Sequence, residues 1–464
     1  MVYLSVNIVL HFLYMLVISY NLSGSRVDNR QPREILNDDE KNQITRIFFE
    51  DKVNKLDAIL EDSYRKYHFN GHVLVVNHGR IIYDNFIGYA DFNTKDTLLK
   101  NSVYQLASVS KQFTAMAIMI LKEKKLLDYD DLMIDYIPEL ESEEFRYYNT
   151  ITIRNLLNHT AGLPNYMYFV EKYKGRDEHP YNDEVVRLIS EHMMGLNFVP
   201  GSRFSYSNTG YMLLALIVDR VSGMTFADFV EQNIFNPLGM NDSFVYSREK
   251  GHRDSKRRLM GFKKYRRFYP IQETCHDGVV GDKGVYSTAD DLFKWDRSLY
   301  TELLVSKETL EEAFTPATLT NGRKVPYGFG FRIRQTDGKE RIIYHNGLWN
   351  GFRTSFTRFV DSNSTVLIMD HTDCKAKHII AKRIEDILLE PHSNFTQVLA
   401  ENAIENGPEK AIEIYNTMNM MNGDVIINFE ELKKAYHFLE ENGKEDIAAH
   451  IDKLMEALSL QVNS

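Results

Sequence analysis

The fold is decided at Ala107-Ser108-Val109-Ser110-Lys111-Gln112-Phe113, where a serine and a lysine stand three positions apart at the start of a helical pattern. Apolar residues then recur at helical spacing through Ala117 and Leu121, which predicts a helix with one buried face. Residues three apart share one face of a helix, so Ser108 and Lys111 are within mutual reach. The same pattern also fits a serine that merely caps a helix, and other residues must decide between the two.

Strand-forming runs flank this helix in the sequence. Before it, Gly71 to Val76 and Ile81 to Ile87 are rich in β-formers, and the hairpin signal Asn77-His78-Gly79-Arg80 separates them. Between about residues 129 and 246, short helical patterns alternate with Gly, Pro and Asn. Further on, the predicted elements are the strands Tyr327 to Ile333, Arg341 to His345, Phe352 to Arg358 and Ser364 to Met369, and a helix from His378 to Leu389.

This order of elements predicts an α+β fold rather than alternating strand–helix–strand units. The N-terminal and C-terminal strands are expected to pair into one antiparallel β-sheet flanked by helices, with a mostly helical subdomain inserted between them. A small all-helical appendage follows at the C-terminus. The functional site is then expected in the cleft between the sheet and the helical part.

Composition limits the possible functions. The 464 residues suffice for one large domain plus an appendage, and a hydrophobic fraction of 43% supplies a sizeable core. The formal net charge of -10 argues against a general role in binding nucleic acid. The two cysteines, Cys275 and Cys374, lack metal-ligand spacing, and no zinc or phosphate-binding motif occurs, so neither a metal nor a cofactor is expected.

The N-terminus is the strongly apolar part of the chain, from Val2 to Tyr20, and the first charged side chain is Arg26. Residues 1–25 are therefore predicted to be an export signal followed by a polar linker, residues 26–50. No Lys or Arg precedes the apolar run, so an uncleaved membrane anchor is the alternative. Either route predicts an exported protein, periplasmic or extracellular, which meets a membrane only through this segment.

The tail, residues 391–464, repeats itself weakly. The stretches Glu405-Asn406-Gly407-Pro408-Glu409 and Glu441-Asn442-Gly443-Lys444-Glu445 each precede a helical pattern. Two such helix-turn-helix units resemble tetratricopeptide-type (TPR) repeats but are too few for a free-standing solenoid. The tail is predicted to dock on the domain that precedes it; a helical cap without a partner is the alternative.

Two further short motifs carry side chains suited to acyl chemistry. Tyr206-Ser207-Asn208 precedes an apolar helical run, and a phenol near a lysine can relay protons. An Asn side chain there can hold both a lysine and a substrate amide. His345-Asn346-Gly347 leaves a predicted strand, and an edge strand beside a nucleophile can pair with an extended substrate and donate an N–H to an oxyanion.

In this order, the three motifs resemble the SxxK, YxN and [KH]xG patterns of the serine β-lactamase and penicillin-binding protein superfamily. The similarity is greatest to its class C β-lactamase-related branch, which includes D-Ala-D-Ala carboxypeptidase, esterase and D-aminopeptidase relatives. Residues 151–164, residues 281–292 and Tyr327-Gly328-Phe329-Gly330 match as well. The resemblance extends from Asp51 to Leu389 and implies a β-lactamase-like serine hydrolase domain over residues 51–390.

The resemblance implies a catalytic role for each matched residue of the first two motifs. Ser108 attacks the substrate carbonyl and is acylated. Lys111 and Tyr206 accept and relay its proton, and the sequence leaves open which of them is the base. Asn208 orients Lys111 and the substrate amide.

The third motif is implied to bind substrate. His345 takes a position that often holds Lys and faces the substrate carboxylate and the Tyr206 hydroxyl. Gly347 and Leu348 continue the substrate-binding strand, and the oxyanion lies between the backbone N–H groups of Ser108 and Leu348. A neutral imidazole binds a carboxylate less firmly than an ammonium does, and the deacylation glutamate motif of class A enzymes is missing.

We therefore expect a serine hydrolase that acts on a peptide, amide or ester bond in a small-molecule or peptide substrate, rather than an efficient β-lactamase. The alternative is a penicillin-binding-like sensor that acylates slowly without efficient turnover. The complete set of Ser108, Lys111, Tyr206 and Asn208 favours the enzyme, whereas the repeat-like tail keeps the sensor in consideration.

Overall fold

The computed structural model describes residues 36–175, 178–246, 257–335, 340–388, 395–422 and 427–462. The predicted export or anchor segment, residues 1–25, lies outside these described residues. The chain forms two compact units: Lys52–Leu388, and Met1–Asp51 together with Leu389–Ser464. Among the helices of the described ranges, none combines the length and the apolarity that crossing a bilayer requires.

Strands lie at both ends of the larger unit. The strands of the described residues are β1 (Gly71–Asn77), β2 (Arg80–Ile87), β3 (Tyr104–Gln105), β4 (Phe244–Val245), β5 (Phe262–Lys264), β6 (Phe268–Pro270), β7 (Val285–Ser287), β8 (Arg332–Gln335), β9 (Arg341–Trp349), β10 (Phe352–Phe359) and β11 (Ser364–Asp370). Within the described residues, six of them form an antiparallel sheet in the order β2-β1-β11-β10-β9-β8. Because β1 pairs with β11, the N-terminal hairpin joins the C-terminal strands, which confirms the predicted α+β fold.

Helices fill the insertion between these strands and form the C-terminal appendage, as predicted. In the described residues they are α1 (Asp38–Phe48), α2 (Glu50–Tyr67), α3 (Lys111–Glu123), α4 (Met133–Tyr136), α5 (Ile153–Leu157), α6 (Tyr166–Tyr173), α7 (Asn182–Glu191), α8 (Asn208–Ser222), α9 (Phe226–Val230), α10 (Asn236–Leu238), α11 (Ala289–Ser298), α12 (Lys307–Ala313), α13 (Lys377–Leu388), α14 (Thr396–Asn406), α15 (Pro408–Asn422), α16 (Phe429–Glu441) and α17 (Glu445–Val462).

Helix α3 runs through the core of the larger unit. All its residues from Lys111 to Leu121 are buried, whereas the sequence predicts a single buried face. It packs against α8, in which Thr209 to Val218 are also buried. A helix that is buried on all sides requires a large core around it. The periodicity of the α3 sequence does not show that α8 packs on its other face.

Strands β8 and β9 differ most from their predicted bounds. The predicted strand from Tyr327 begins only at Arg332, because Gly330 adopts a φ of +78° and lies against α3. A Cβ on Gly330 would lie 2.8 Å from the Lys111 carbonyl oxygen. Strand β9 continues past the predicted end at His345, and its Trp349 still pairs with β10.

Short strands lie beside the main sheet. Strands β3, β7 and β4 form a small sheet in that order, and β5 pairs with β6 in a hairpin. Strands of two or three residues are too short to produce a recognisable alternation, so the sequence does not predict them.

The smaller unit is a cluster of helices. Helix α14 packs against α15, α16 packs against α17, and α1 contacts both α14 and α16. The described part of residues 26–50, predicted to be a linker, therefore contains a helix that belongs to this cluster. The structure confirms the helical nature of the C-terminal appendage, and the likeness of residues 391–464 to TPR repeats stays a prediction.

Candidate active site

Ser108 lies in a single 3-10 turn, Ala107–Ser110, that leads into α3. The preceding Ala107 has a φ of +50°, and such a conformation costs a non-glycine residue about 1 to 3 kcal/mol. The backbone around it is held in place, since the Leu106 N–H donates to the Val285 carbonyl at 2.9 Å. The sequence predicts Ser108 at a helix start, whereas the structure places it in this strained turn just before the helix.

Lys111 is the first residue of α3, and its side chain is fully buried. Its Nζ donates to Ser108 Oγ at 3.3 Å, to Asn208 Oδ1 at 2.9 Å and to the Asp282 carbonyl at 2.7 Å. Burial lowers the pKa of Lys111 to about 7; Arg332 acts in the same direction and Asp282 opposes both. Near neutral pH, a large fraction of Lys111 is therefore uncharged and able to accept the Ser108 proton.

Asn208 is the first residue of α8, which Ser207 caps by accepting the Gly210 N–H at 3.3 Å. Its Oδ1 is occupied by Lys111. For its Nδ2 group, no protein partner is found in the described part of the chain, so this amide remains available to a substrate carbonyl.

Tyr206 is half-buried between the Lys111 amine and the Arg332 guanidinium. Lys111 Nζ lies 4.9 Å and the Arg332 guanidinium 5.2 Å from the centre of its ring. Its buried hydroxyl makes no regular hydrogen bond within the described residues. Burial raises the pKa of Tyr206, and the nearby Ser108 and Arg332 only partly oppose this, so the side chain is a neutral phenol at neutral pH.

His159 lies behind Tyr206, with the two ring centres 4.4 Å apart. Its Nδ1 accepts the Ser207 N–H at 3.2 Å and so helps fix the start of α8. Burial, together with the charge of Lys111, keeps the pKa of His159 well below its usual value. These contacts give His159 a structural role beside the site.

His345 is buried in the cavity wall, and both of its ring nitrogens have protein partners. Nδ1 lies 2.9 Å from the Asn346 carbonyl, to which it can only donate, so Nε2 accepts from the Tyr327 hydroxyl at 3.1 Å. Burial lowers the pKa of His345 well below its usual value, with Lys111 and Arg332 adding to the effect. His345 is thus neutral, and its ring centre lies 5.9 Å from that of Tyr206 without a hydrogen bond to the Tyr206 hydroxyl in the described residues.

The open edge of β9 passes directly beside the nucleophile turn. Strand β8 pairs with β9 only as far as Tyr344, and within the described residues no strand pairs with the later residues of β9 on that side. A Cβ on Gly347 would lie 2.2 Å from the Leu106 carbonyl oxygen, which explains the glycine at this position. Leu348, whose exposed fraction is 55%, lies where an extended substrate can pair with the strand.

A cavity of about 260 Å³ opens at this edge. Its walls come from Ser108, Tyr206, Arg332, Tyr344, His345, Asn346 and Leu348. The structure thus brings four predicted site residues to one surface. The other three, Lys111, Asn208 and Gly347, do not line the cavity: Lys111 and Asn208 contact each other beside Ser108, and Gly347 packs against the nucleophile turn.

Three wall residues, Arg332, Tyr344 and Asn346, are not among the predicted site residues. Arg332 has no carboxylate partner in the described ranges, so its positive charge is available to a ligand. Asn346 Oδ1 accepts from Ser355 Oγ at 2.9 Å and from Lys377 Nζ at 2.6 Å. With the oxygen thus occupied, the amide nitrogen of Asn346 is the group left to contact a ligand. Arg332 stands two positions after the Tyr327-Gly328-Phe329-Gly330 stretch, and this proximity is the sequence feature that could have identified it.

Asp282 and Lys283 are also missed, although they lie in the matched stretch 281–292. Both are buried, and the Asp282 carbonyl contacts Lys111. The sequence feature that could have identified them is Gly281-Asp282-Lys283-Gly284, in which an acidic and a basic residue stand between two turn-forming glycines. No cluster of metal-binding side chains occurs in the part of the chain that the structure describes.

A family model, related sequences and solved structures all match this chain, and they agree with one another. The sequence model of the Beta-lactamase family matches residues 56–378. Penicillin-binding protein 4* of Bacillus subtilis (strain 168) is 36% identical over 352 residues, which cover 73% of this chain and 76% of that protein.

A D-aminopeptidase of Brucella anthropi is 25% identical over 340 residues, covering 72% of this chain; the chain spans only 62% of that relative's length. Among solved structures, the penicillin binding protein from Bacillus halodurans superimposes with a TM-score of 0.61 at 26% identity. That match covers 72% of this chain and 98% of the other.

Proposed function

The chain belongs to the beta-lactamase family and is a serine hydrolase, and from this premise we propose that it forms an acyl-enzyme on Ser108 and hydrolyses a peptide, amide or ester bond. One observation carries the proposal: the buried Lys111 Nζ lies 3.3 Å from Ser108 Oγ. A serine hydroxyl becomes an effective nucleophile only when a nearby base accepts its proton.

Acylation begins with neutral Lys111. As Ser108 Oγ bonds to the substrate carbonyl carbon, its proton passes to Lys111 Nζ. The negative charge that forms on the carbonyl oxygen is stabilised by the backbone N–H groups of Ser108 and Leu348. Because its raised pKa keeps Tyr206 protonated, its hydroxyl supplies the proton that the leaving nitrogen or oxygen needs when the scissile bond breaks.

Deacylation reverses these transfers. A water molecule loses a proton to the Tyr206–Lys111 pair while its oxygen bonds to the acyl carbon. The bond to Ser108 Oγ then breaks, and Oγ regains a proton from Lys111. Arg332 and Lys111, once Lys111 has accepted the Ser108 proton, are cations beside the Tyr206 ring and favour the transient phenolate, so one tyrosine can serve as both acid and base.

The substrate class is inferred from the cavity wall and from the relatives. One relative is named a penicillin-binding protein and another a D-aminopeptidase, which supports a bond next to a D-amino acid. No carboxylate among the described residues pairs with Arg332 in the wall, so we infer that the substrate carries a carboxylate or another anionic group near that bond. Neutral His345 cannot supply such a charge, which argues against rapid turnover of β-lactams.

A substrate panel tests this proposal on the purified full chain. It contains dipeptides that end in a D-amino acid, the same dipeptides as C-terminal amides, simple esters and a β-lactam. We expect multiple turnovers on at least one peptide, amide or ester, and none with Ser108→Ala. Turnover that persists in Ser108→Ala would contradict the proposal, and a stable adduct without turnover would support the sensor instead.

We further propose that residues 1–25 export the chain or anchor it to a membrane. The support is the uninterrupted run without charge before Arg26. Fusing these residues to a reporter that is active only outside the cytoplasm tests this: activity is expected, and its absence would contradict export.

A further inference from the structure

Asp282 and Lys283 lie next to the predicted catalytic lysine and are almost fully buried, with exposed fractions of 1% and 3%. The Asp282 carbonyl accepts from Lys111 Nζ at 2.7 Å, the shortest of the three contacts of that amine. Neither side chain takes part in the proposed acyl transfer. A buried ion pair at this position therefore needs another explanation, because desolvating two charges is costly.

The backbone on both sides of the pair is locked. Gly281 and Gly284 have φ angles of +99° and +97°, which only glycine adopts readily. A Cβ on Gly281 would lie 2.4 Å from the Tyr211 carbonyl oxygen of helix α8. The loop Gly281–Gly284 therefore packs closely against helix α8, and this packing fixes the Asp282 carbonyl within hydrogen-bond distance of Lys111.

The Lys283 side chain connects this loop to its surroundings. Its Nζ donates to Tyr166 Oη at 2.8 Å and lies 3.4 Å from Asp282 Oδ1, while Tyr166 donates to Asp282 Oδ2 at 3.2 Å. The same Nζ lies 4.8 Å from the ring centre of Trp349, the neighbour of Leu348 on β9. Lys283 therefore contacts both the loop that holds Lys111 and the end of the predicted oxyanion strand.

Asp282 and Arg332 act on Lys111 in opposite directions. The Asp282 carboxylate favours the protonated form of Lys111, whereas Arg332 disfavours it. Lys111 and Lys283 repel each other, and this repulsion adds to the effect of burial in lowering the pKa of Lys283. Asp277 is the other acid that acts on Lys283.

The remaining groups around Lys111 are uncharged at neutral pH. Ser108, Asn208, Tyr206 and Tyr211 face its amine, and burial keeps the two tyrosines protonated. The nearby His159 and His345 are neutral, because burial lowers the pKa of both. The charges that act directly on Lys111 are therefore those of Asp282 and Arg332, and Lys283 acts through Asp282, with which it forms an ion pair.

We propose that Lys283 is a positioning residue for the Ser108–Lys111 reaction, because it neutralises Asp282 next to Lys111 and fixes the carbonyl that holds the Lys111 amine. The proposal rests on the acyl-enzyme function proposed above. Without Lys283, the uncompensated Asp282 carboxylate would stabilise protonated Lys111 and remove the base at neutral pH.

The test is the rate at which a fluorophosphonate labels Ser108 in the full chain, measured against pH. In Lys283→Met, we expect the acid-side midpoint of this profile to move to higher pH by about 1 unit or more. In Asp282→Asn, which preserves shape, it should move to lower pH. In the double variant the two effects should largely cancel, because both charges are absent.

Arg358→Met is a matched control, because Arg358 and Asp296 form another fully buried ion pair, with Nε 2.7 Å from Oδ1. Arg358→Met should lower the melting temperature without moving the pH midpoint of Ser108 labelling.

Folding of every variant is checked by circular dichroism, and Asp282→Asn alone decides the question if Lys283→Met does not fold. If the Lys283 and Asp282 variants are labelled with the same pH midpoint as the wild type, the proposed role of Lys283 is wrong. It is also wrong if labelling of Ser108 slows by the same factor at every pH. Absence of labelling in the folded wild type would instead overturn the proposed function.

Discussion

Among single residues, the central one is Lys111, an amine surrounded by oxygen acceptors and removed from water. Its burial explains how a lysine, normally protonated at neutral pH, becomes a base. The structure brings Ser108, Lys111, Tyr206 and Asn208 together, and the sequence predicts this only through the family resemblance, because the two motifs are 97 positions apart. It does not predict that both nitrogens of His345 are occupied, because the partner of one of them, Tyr327, lies on another segment.

The pH dependence of Ser108 labelling follows from this burial. The pKa of Lys111 is lowered to about 7, and only the neutral amine accepts a proton, so the rate should rise as pH increases through about 7. Below that pH the amine is protonated and the rate should fall. Stopped labelling reactions analysed by intact mass give this profile. A rate that does not change over the range in which Lys111 titrates would contradict the assignment.

Arg332→Met should weaken binding of anionic substrates. Removing a charge-assisted hydrogen bond is expected to raise KM for the anionic substrate by about 10- to 100-fold. For the uncharged amide of the same substrate, KM should stay nearly unchanged. Because Arg332 also acts on Lys111 and Tyr206, any change in kcat should be the same for both substrates. Arg334→Met is the control, since Arg334 lies on the same strand but pairs with Glu385. Equal effects of Arg332→Met on the acid and the amide would show that it does not recognise the anion.

Among the elements, the close approach of β9 to the nucleophile turn shapes the site. Gly347 permits this approach, because its hydrogen faces the Leu106 carbonyl. We expect Gly347→Ala to separate the strand from the turn, to lower the free energy of unfolding by about 1 to 3 kcal/mol and to reduce Ser108 labelling sharply. Urea unfolding and labelling rates measure both effects.

Gly195→Ala is the matched control for that variant. A Cβ on Gly195 would meet only the Phe145 ring, at 3.8 Å, which is an ordinary contact distance. Its stability and labelling rate should stay close to those of the wild type. Normal labelling in Gly347→Ala would show that the turn does not need the strand at this distance.

The elements also show what the sequence alone can predict. Strands β1, β2, β10 and β11 have clear β-rich patterns, and their predicted bounds agree closely with the structure. Strand β8 begins late because Gly330 fits against Lys111, a contact between segments far apart in sequence. The Asp282–Lys111 contact spans 171 positions, and no local pattern encodes such a distance.

In the whole molecule, the site forms only when the N-terminal hairpin, the helical insertion and the C-terminal strands have all assembled. Both tryptophans, Trp295 and Trp349, lie in this unit, and Trp295 Nε1 donates to Gln112 Oε1 at 2.8 Å, next to Lys111. Tryptophan fluorescence therefore reports on the fold around the site.

We expect the loss of Ser108 labelling and the change in tryptophan fluorescence to share one urea midpoint, because a single cooperative unit contains both. Both are measured on the same samples of the full chain. Labelling that disappears at clearly lower urea, while fluorescence is still native, would show that the site opens before the unit unfolds.

The most direct test of the central claim compares wild type with Lys111→Met in labelling by a fluorophosphonate, followed by intact-mass spectrometry at a pH above 7. We predict a single adduct on wild type, mapped to Ser108, and labelling of Lys111→Met slower by a factor of about 100 or more. No adduct on folded wild-type protein, or equal rates in the two proteins, would contradict a serine nucleophile activated by the buried lysine.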